Sequence, residues 1–389
     1  MTTTINNEHK KLNVPNLTDR GNVIRNVPHL RFPEFEGEWE DFLINDVCSE
    51  FKSGKNIKAD SISESGEYPV YGGNGLRGYT SSYNHEGLYV LIGRQGALCG
   101  NVRSVNGKTY ITEHAIAAAG NEKSNTSFLH YLFLKMNLGQ YSDQSAQPGL
   151  AVNKLLKLEV SLPPISEQKK IAKLLSLLDE RIATQNKIIE DLKELKCAII
   201  EKVYSEIQGK EYSYGQLFDV VNERNKQMEY SNILSASQEK GMVNRDDLNL
   251  DIQFERSYIN TYKIVKKGDY VIHLRSFQGG FAFSDKLGVC SPAYTILRPN
   301  SILEYGYLSN YFTSQRFIKS LVLVTYGIRD GRSINVDEWL RMKITIPPKE
   351  HQQYIVKVIG TFERKIEDEE AYAAQLSIQK QYLLRQMFV

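Results

Sequence analysis

Two stretches of this chain match each other along their whole length, and they restrict the possible folds more than any other feature. Pro163 to Tyr204 aligns without a gap onto Pro347 to Phe388 at an offset of 184 residues. Pro163 and Pro164 fall on Pro347 and Pro348, Gln168 on Gln352, Ile171 on Ile355, Ile182 on Ile366 and Leu192 on Leu376. A repeat of this kind sets the architecture before any single residue is considered. In the first copy, the positions spaced alternately four and three apart are Ile171, Leu175, Leu178, Ile182, Gln185, Ile189, Leu192, Lys196, Ile199 and Val203. In the second they are Ile355, Ile359, Phe362, Ile366, Glu369, Ala373, Leu376, Lys380, Leu383 and Met387. This is the spacing of a coiled-coil seam, which needs a facing seam to cover it. The simplest partner for each helix is the other; the alternative is that each seam packs on its own globular domain. At 1.5 Å per residue each rod would be about 60 Å long.

Between and before these helices the chain repeats a second time. Residues 1–30 are polar and aperiodic and read as a mobile N-terminal segment. Residues 31–162 hold short β-like runs, YPVYG, LYVLIG and TYITEHAIAAA, separated by Gly-rich turns, and one helical stretch, SFLHYLFLKMNL. The plan returns after the first helix. Tyr270 to Phe283 echoes Tyr89 to Val102, Tyr307 to Leu321 echoes the helical stretch, and Asn335 is matched with Asn153. The expected order is therefore domain 31–162, spacer helix 163–207, domain 208–346 and spacer helix 347–389. The fold class is α+β, with two repeated α/β domains separated by two long helices. The short connection from Ile207 to Glu211 favours an antiparallel coiled coil, and hence a pseudo-two-fold symmetric molecule.

Composition narrows the function by exclusion. A net charge of +2 does not announce a nucleic-acid binder, yet permits one if basic groups cluster. The four cysteines, Cys48, Cys99, Cys197 and Cys290, are dispersed without metal or redox spacing, which suits a reducing, cytoplasmic setting. No apolar run is long enough to span a membrane, and the N-terminus does not have the form of a signal peptide. Gly73 to Gly78 matches GxGxxG, but TSSY follows where a dinucleotide site needs a helix. Gly107-Lys108-Thr109 lacks the upstream glycine of a P-loop. There is no nucleophile motif, His114 and His273 sit in strand-like runs where structural histidines are common, and the run Glu367 to Glu370 reads as a solvated helix face. No catalytic residue and no metal ligand set is expected.

The loops are more informative. The first domain offers Lys52, Lys55, Asn56 and Lys58, then Tyr71, Asn74 and Arg77, then Arg94 and Gln95, then Ser145 and Gln147. The second offers Arg224, Asn225 and Lys226, then His273, Arg275, Ser276 and Gln278, then Arg329, Asp330, Arg332 and Ser333. Arg and Lys with Asn, Gln and Ser, interleaved with Tyr, are the groups that contact phosphates and read base edges. Their recurrence in matching loops of both repeats makes them candidate DNA contacts.

The pieces LRFPEFEGEWE, YPVYGGNGLRGYTSS, LIGRQGALCGNV and PPISEQKKIAKLLSLLDERI, with the degenerate copy PPKEHQQYIVKVIGTFERKI, resemble the specificity subunits of type I restriction–modification enzymes. The resemblance covers nearly the whole chain from Arg31 onward; in the second block His351 replaces the glutamate Glu167. It implies two target-recognition domains, each reading one half of a split, asymmetric site in double-stranded DNA. It implies that the paired helices set the distance between the half-sites. It also implies partners: two modification (methyltransferase) subunits carrying S-adenosylmethionine, and restriction subunits carrying the ATP- and Mg-dependent motor and nuclease. No cofactor is then expected on this chain. A self-sufficient methyltransferase or nuclease, and a coiled-coil adaptor without DNA readout, are the competing readings.

Overall fold

The computed structural model describes residues 26–143, 148–237, 240–247, 256–273, 280–326 and 333–389. These fall into two compact units, one holding the chain up to Ile182 together with Gln375–Val389, the other holding Ala183–Ala374. The long helices run Ile165–Ser205 and Lys349–Gln386. Each begins just after its Pro-Pro pair, where proline's missing N–H costs nothing because the first helical N–H groups lack partners anyway.

The block after each proline pair explains its own recurrence. Gln168 is buried; its Oε1 accepts from the Asn125 N–H at 2.8 Å and its Nε2 donates to the Lys123 and Pro163 carbonyls. Gln352 does the same with the Glu304 N–H and the Ile302 and Pro347 carbonyls. In both units one side chain ties the helix start to the loop ahead of it. Glu167 and His351, at the position before, behave differently. Glu167 is fully buried and takes a bidentate bond from Arg31 at 2.8 and 2.7 Å, whereas His351 is exposed.

The first unit contains a four-stranded antiparallel sheet in the order Cys48–Ser53, Ala115–Gly120, Tyr89–Gly93, Val102–Val105. A second sheet has the order Gly75–Thr80, Tyr68–Gly72, Lys108–Ile111, His85–Glu86, with one parallel pair in its middle. The second unit repeats the first sheet as Phe218–Val221, Thr295–Pro299, Tyr270–Ile272, Phe281–Phe283, again antiparallel throughout. Its counterpart of the second sheet is two pairs, Leu234–Ser237 with Gly241–Asn244 and Lys263–Val265 with Gly288–Cys290, joined by a parallel bridge between Ile233 and Val289. In each unit a two-stranded pair, Glu40–Leu43 with Glu159–Leu162 or Lys210–Ser213 with Lys343–Ile346, leads the chain to its long helix.

Three expectations change. TYITEHAIAAA is not one strand: Thr112 to His114 form a turn between two strands of different sheets. Asn335 matches Ala151 rather than Asn153. Asn335 caps the helix Val336–Arg341, and Ala151 stands at the same place before Val152–Leu155. The helical stretch also diverges between copies. In the first unit it is an eleven-residue helix, Thr126–Met136, capped by Asn125. In the second only Gln315–Ser320 is α-helical, flanked by 3-10 turns. There the Ser309 and Thr313 hydroxyls bond the carbonyls three residues back and Ser314 caps Phe317, so side chains compete for the backbone groups a longer helix would use.

None of the seam residues Ile171, Leu175, Leu178, Ile182, Ile189, Leu192, Ile355, Ile359, Phe362, Ile366, Leu376 and Leu383 is exposed. Both ways of covering the seam occur. In the first unit Ile171, Leu175 and Met387 join the domain core around Phe128 and Trp39, with Leu383 against it. In the second, Ile355 and Ile359 join a core that also holds Ile200 and Tyr204 from the other helix. The start of one helix thus shares a core with the end of the other in each unit, which is antiparallel pairing. Between these cores Leu178, Ile189, Ile366 and Leu376 are buried too, and polar pairs stand among them. Asp179 pairs with Lys380 in the first unit; Lys196 pairs with Glu363 at 3.2 Å in the second, using the repeat-equivalent positions with the roles exchanged. Gln185 bonds its own counterpart Glu369, and Lys193 pairs with Glu370 at 2.6 Å, so the Glu367–Glu370 run is not wholly a solvated face.

Residues 1–25 lie outside the described residues, but Asn26 to Leu30, also placed in the N-terminal segment, are held: Asn26 bonds Asp41, and the Leu30 N–H donates to the Gln386 carbonyl.

Beside the Asp179–Lys380 pair, burial and the Lys380 ammonium push the His130 imidazole down to about 4, and its Nδ1 has no partner among the described residues. An unfolded histidine protonates near pH 6.5. Between those values the unfolded chain binds more protons, so stability falls as pH falls through the window, by up to roughly 3 kcal/mol. Denaturant titrations at pH 7 and pH 4.5 should show wild type losing about that much more stability than His130→Phe.

Candidate nucleic-acid interface

In the first unit the turn Gly72–Gly75 organises the polar loops. It closes the hairpin of Tyr68–Gly72 with Gly75–Thr80, so the GxGxxG match is a β-turn followed by a strand. At Gly73 a Cβ would fall 2.7 Å from the His114 carbonyl oxygen and 3.3 Å from the Gly93 Cα. Only a residue without a side chain allows the turn to close over the end of Tyr89–Gly93. Four more segments meet there. The Arg94 N–H donates to the His114 carbonyl at 2.9 Å, and the Arg94 carbonyl accepts from the Leu150 N–H at 2.9 Å. The Lys55 N–H donates to Ile111, and the Thr112 N–H to Tyr71. The His114 ring lies with Nδ1 3.1 Å from Gln95 Oε1 and Nε2 3.2 Å from Glu113.

Of the sequence candidates, this brings together Lys55, Tyr71, Asn74, Arg77, Arg94 and Gln95. Tyr71 is half-buried on the small core of Leu91 and Ile111; Lys55, Asn74, Arg77 and Gln95 are exposed. The Asn56 carbonyl accepts from the Tyr110 hydroxyl at the margin. Lys52 is not part of the group; its ammonium pairs with Glu50 at 3.2 Å on its own strand. Ser145 and Gln147 lie outside the described residues. Two residues missing from the candidate set stand against the same turn: His114, exposed rather than held in a strand, beside Gly73, and Arg103, against Gly75. Among the described residues no carboxylate pairs with Arg77, Arg94 or Arg103. Val105, two residues on, and Leu91, paired across the sheet, share Arg103's face of the strand and belong to the small core of Ile111, so strand alternation alone gives no sign that Arg103 is available to a ligand.

In the second unit Arg275, Ser276, Gln278, Arg329 and Arg332 lie outside the described residues, and Ser333 is placed only as the partner of Tyr326 in a two-residue strand pair. Arg224 and Lys226 are exposed. Asn225 is corrected: it is 2 % exposed, and its amide donates to the Tyr230 carbonyl and accepts from the Tyr230 N–H. It shapes the turn and is enclosed there. His273 is half-buried with its ring 6.1 Å from that of Tyr294, and burial lowers its pKa. Lys263, absent from the candidates, is bridged to Arg224 by backbone pairing and donates to the Tyr294 carbonyl at 2.7 Å. Arg224, Lys263, His273 and Tyr294 thus share one region. Among the described residues no group of His, Cys, Asp and Glu is placed to hold a metal ion, and no helix is long and apolar enough to cross a membrane.

Two repeats of one sheet pair, each continued into a long helix and each carrying basic loops at its strand ends, define a class of tandem recognition module. The family model for the type I restriction modification DNA specificity domain matches residues 36–194 and again 209–377. The chain belongs to that family. It is 42% identical over 154 residues to the specificity subunit of the type I restriction enzyme EcoprrI of Escherichia coli, a match covering 39% of this chain and 38% of that one. It is 24% identical over 385 residues to the specificity subunit of the type I restriction enzyme MjaVIII of Methanocaldococcus jannaschii, covering 87% and 88%. Among solved structures, the S subunit of a type I restriction–modification system from M. genitalium shares the fold, with a TM-score of 0.62 at 15% identity over 93% of this chain and 99% of that one.

Proposed function

We propose that this chain is the DNA sequence-specificity subunit of a type I restriction–modification complex. Each repeat reads one half of a bipartite, asymmetric site, and the helix pair sets the spacing between the halves. The observation that carries the reading is the turn Gly72–Gly75, against which the Arg103 guanidinium, the Arg77 stem and the Arg94 backbone all lie, none of the three side chains having a carboxylate partner among the described residues. Arg in such a place is suited to phosphate and to the guanine edge. The chain itself is non-catalytic and works in the cytoplasm. Chemistry belongs to its partners: two modification subunits supplying S-adenosylmethionine, and restriction subunits supplying ATP- and Mg-dependent translocation and cleavage. The long helices are the scaffold on which these assemble.

The test is methylome sequencing of cells carrying this chain with its modification subunit, which should return one bipartite motif with unlike halves. Replacing residues 212–345 with the second domain of a related chain should then change one half alone. A single continuous motif, or no methylation dependent on this chain, would refute the reading. Within it, Arg94→Ala in the assembled methyltransferase is expected to cost about 1–3 kcal/mol of DNA binding, measured by titration against the cognate duplex at several salt concentrations.

A further inference from the structure

Arg103 is a charge beside the Gly72–Gly75 turn for which the described residues offer no partner. It lies in the strand Val102–Val105, opposite Leu91, and is half-buried. Gly75 faces it. That residue has φ +111°, and a Cβ built there would stand 2.6 Å from Arg103 Nη1, 2.9 Å from Cζ and 3.1 Å from Nη2. An edge-on approach would leave Cζ a full bond length farther away than Nη1. The near-equal distances mean that the flat face of the guanidinium is laid against the glycine, in the space where any other residue would carry its side chain. The same turn meets the other two arginines: Gly72 lies against the Arg77 stem, and Gly73 against the backbone of Gly93 and Arg94.

Among the described residues the N–H groups of Arg103 have no acceptor. A guanidinium without a partner in the protein keeps its donors available, and the group's fork geometry is matched by acceptors that offer two oxygens, or an oxygen and a nitrogen, side by side. We infer that Gly75 and Arg103 form a preset seat that receives a bidentate acceptor of the bound DNA, either a backbone phosphate or a guanine edge. This rests on the DNA-reading role proposed above.

The experiment uses the full chain assembled with its modification subunits. Binding of Arg103→Ala and Arg103→Lys is measured against salt, on the cognate duplex and on single-mismatch duplexes. Arg103→Ala is expected to weaken cognate binding by at least about fivefold. If the acceptor is a phosphate, all duplexes weaken alike, the slope of log affinity against log salt falls by about 0.9, and Arg103→Lys restores much of the loss. If it is guanine, discrimination relaxes at one base pair and Arg103→Lys does not restore it. A folded Arg103→Ala with unchanged affinity, slope and discrimination overturns the inference. Should Arg103→Ala fail to fold, Arg103→Gln keeps the stem and replaces it in the comparison. Failure of every variant to fold makes Arg103 a structural residue and also overturns the inference. A wild-type complex that binds no DNA removes the underlying reading, whereas a binding wild type beside an indifferent Arg103→Ala removes only the seat.

Discussion

Leu178→Asp is expected to cost about 5 kcal/mol of stability and to abolish recovery of assembled protein, while Leu177→Asp, one residue away, changes it by no more than about 0.5 kcal/mol. Leu178 is 9 % exposed on the seam face of the central helix; Leu177 is 48 % exposed. The substitution removes the buried apolar side chain, about 2 kcal/mol, and leaves in its place a carboxylate without a partner, about 3 kcal/mol or more. Against a total stability of about 5–15 kcal/mol, that is a large share. Denaturant unfolding of the two variants side by side separates the seam from the outer face of the same helix. Equal tolerance of both would show that the seam position is not enclosed.

Arg31→Ala is expected to cost about 3–5 kcal/mol, through the residue it leaves behind rather than the one it removes. Glu167 is fully enclosed at the start of the central helix, and both of its oxygens are bonded by the Arg31 guanidinium. Without Arg31 the carboxylate is buried and uncompensated. Replacing both residues with methionine should recover most of the loss, because no charge is then left in the interior. In the second unit the position of Glu167 is taken by His351, which is exposed, so His351→Ala should be neutral within about 0.5 kcal/mol. A full-length Arg31→Ala protein unfolding at the wild-type denaturant midpoint would show that the pair does not hold the segment around Arg31 to the helix.

The contrast at this position also shows how far a sequence repeat can be trusted. Gln168 and Gln352 match in sequence and make matching hydrogen bonds. Glu167 and His351 do not match, and only the first has a strap to hold. The substitution in the second copy therefore goes with the absence, among the described residues, of a counterpart to Arg31 there, and the glutamine tie beside it is kept.

Periodicity made the two helices legible, because a seam of period 3.5 has no stable solution but a facing apolar surface. The repeat made the general plan of the second unit predictable from the first, though not its details: the four-stranded antiparallel sheet recurs, while the other sheet becomes two pairs and the helical stretch breaks up. The vocabulary of the loops pointed to nucleic acid, but not to which side chains stand together. Asn225 looked like a reader and is spent on its own turn; Lys52 looked free and is paired with Glu50. Arg103 and Lys263 went unnoticed because each is a single basic residue in a strand. They join the other candidates only when a glycine turn or a bridging strand, distant in sequence, is brought against them. Local pattern depends on neighbours along the chain and is written in the sequence. The company a polar side chain keeps depends on closing contacts between residues tens of positions apart, and only the tertiary structure decides that.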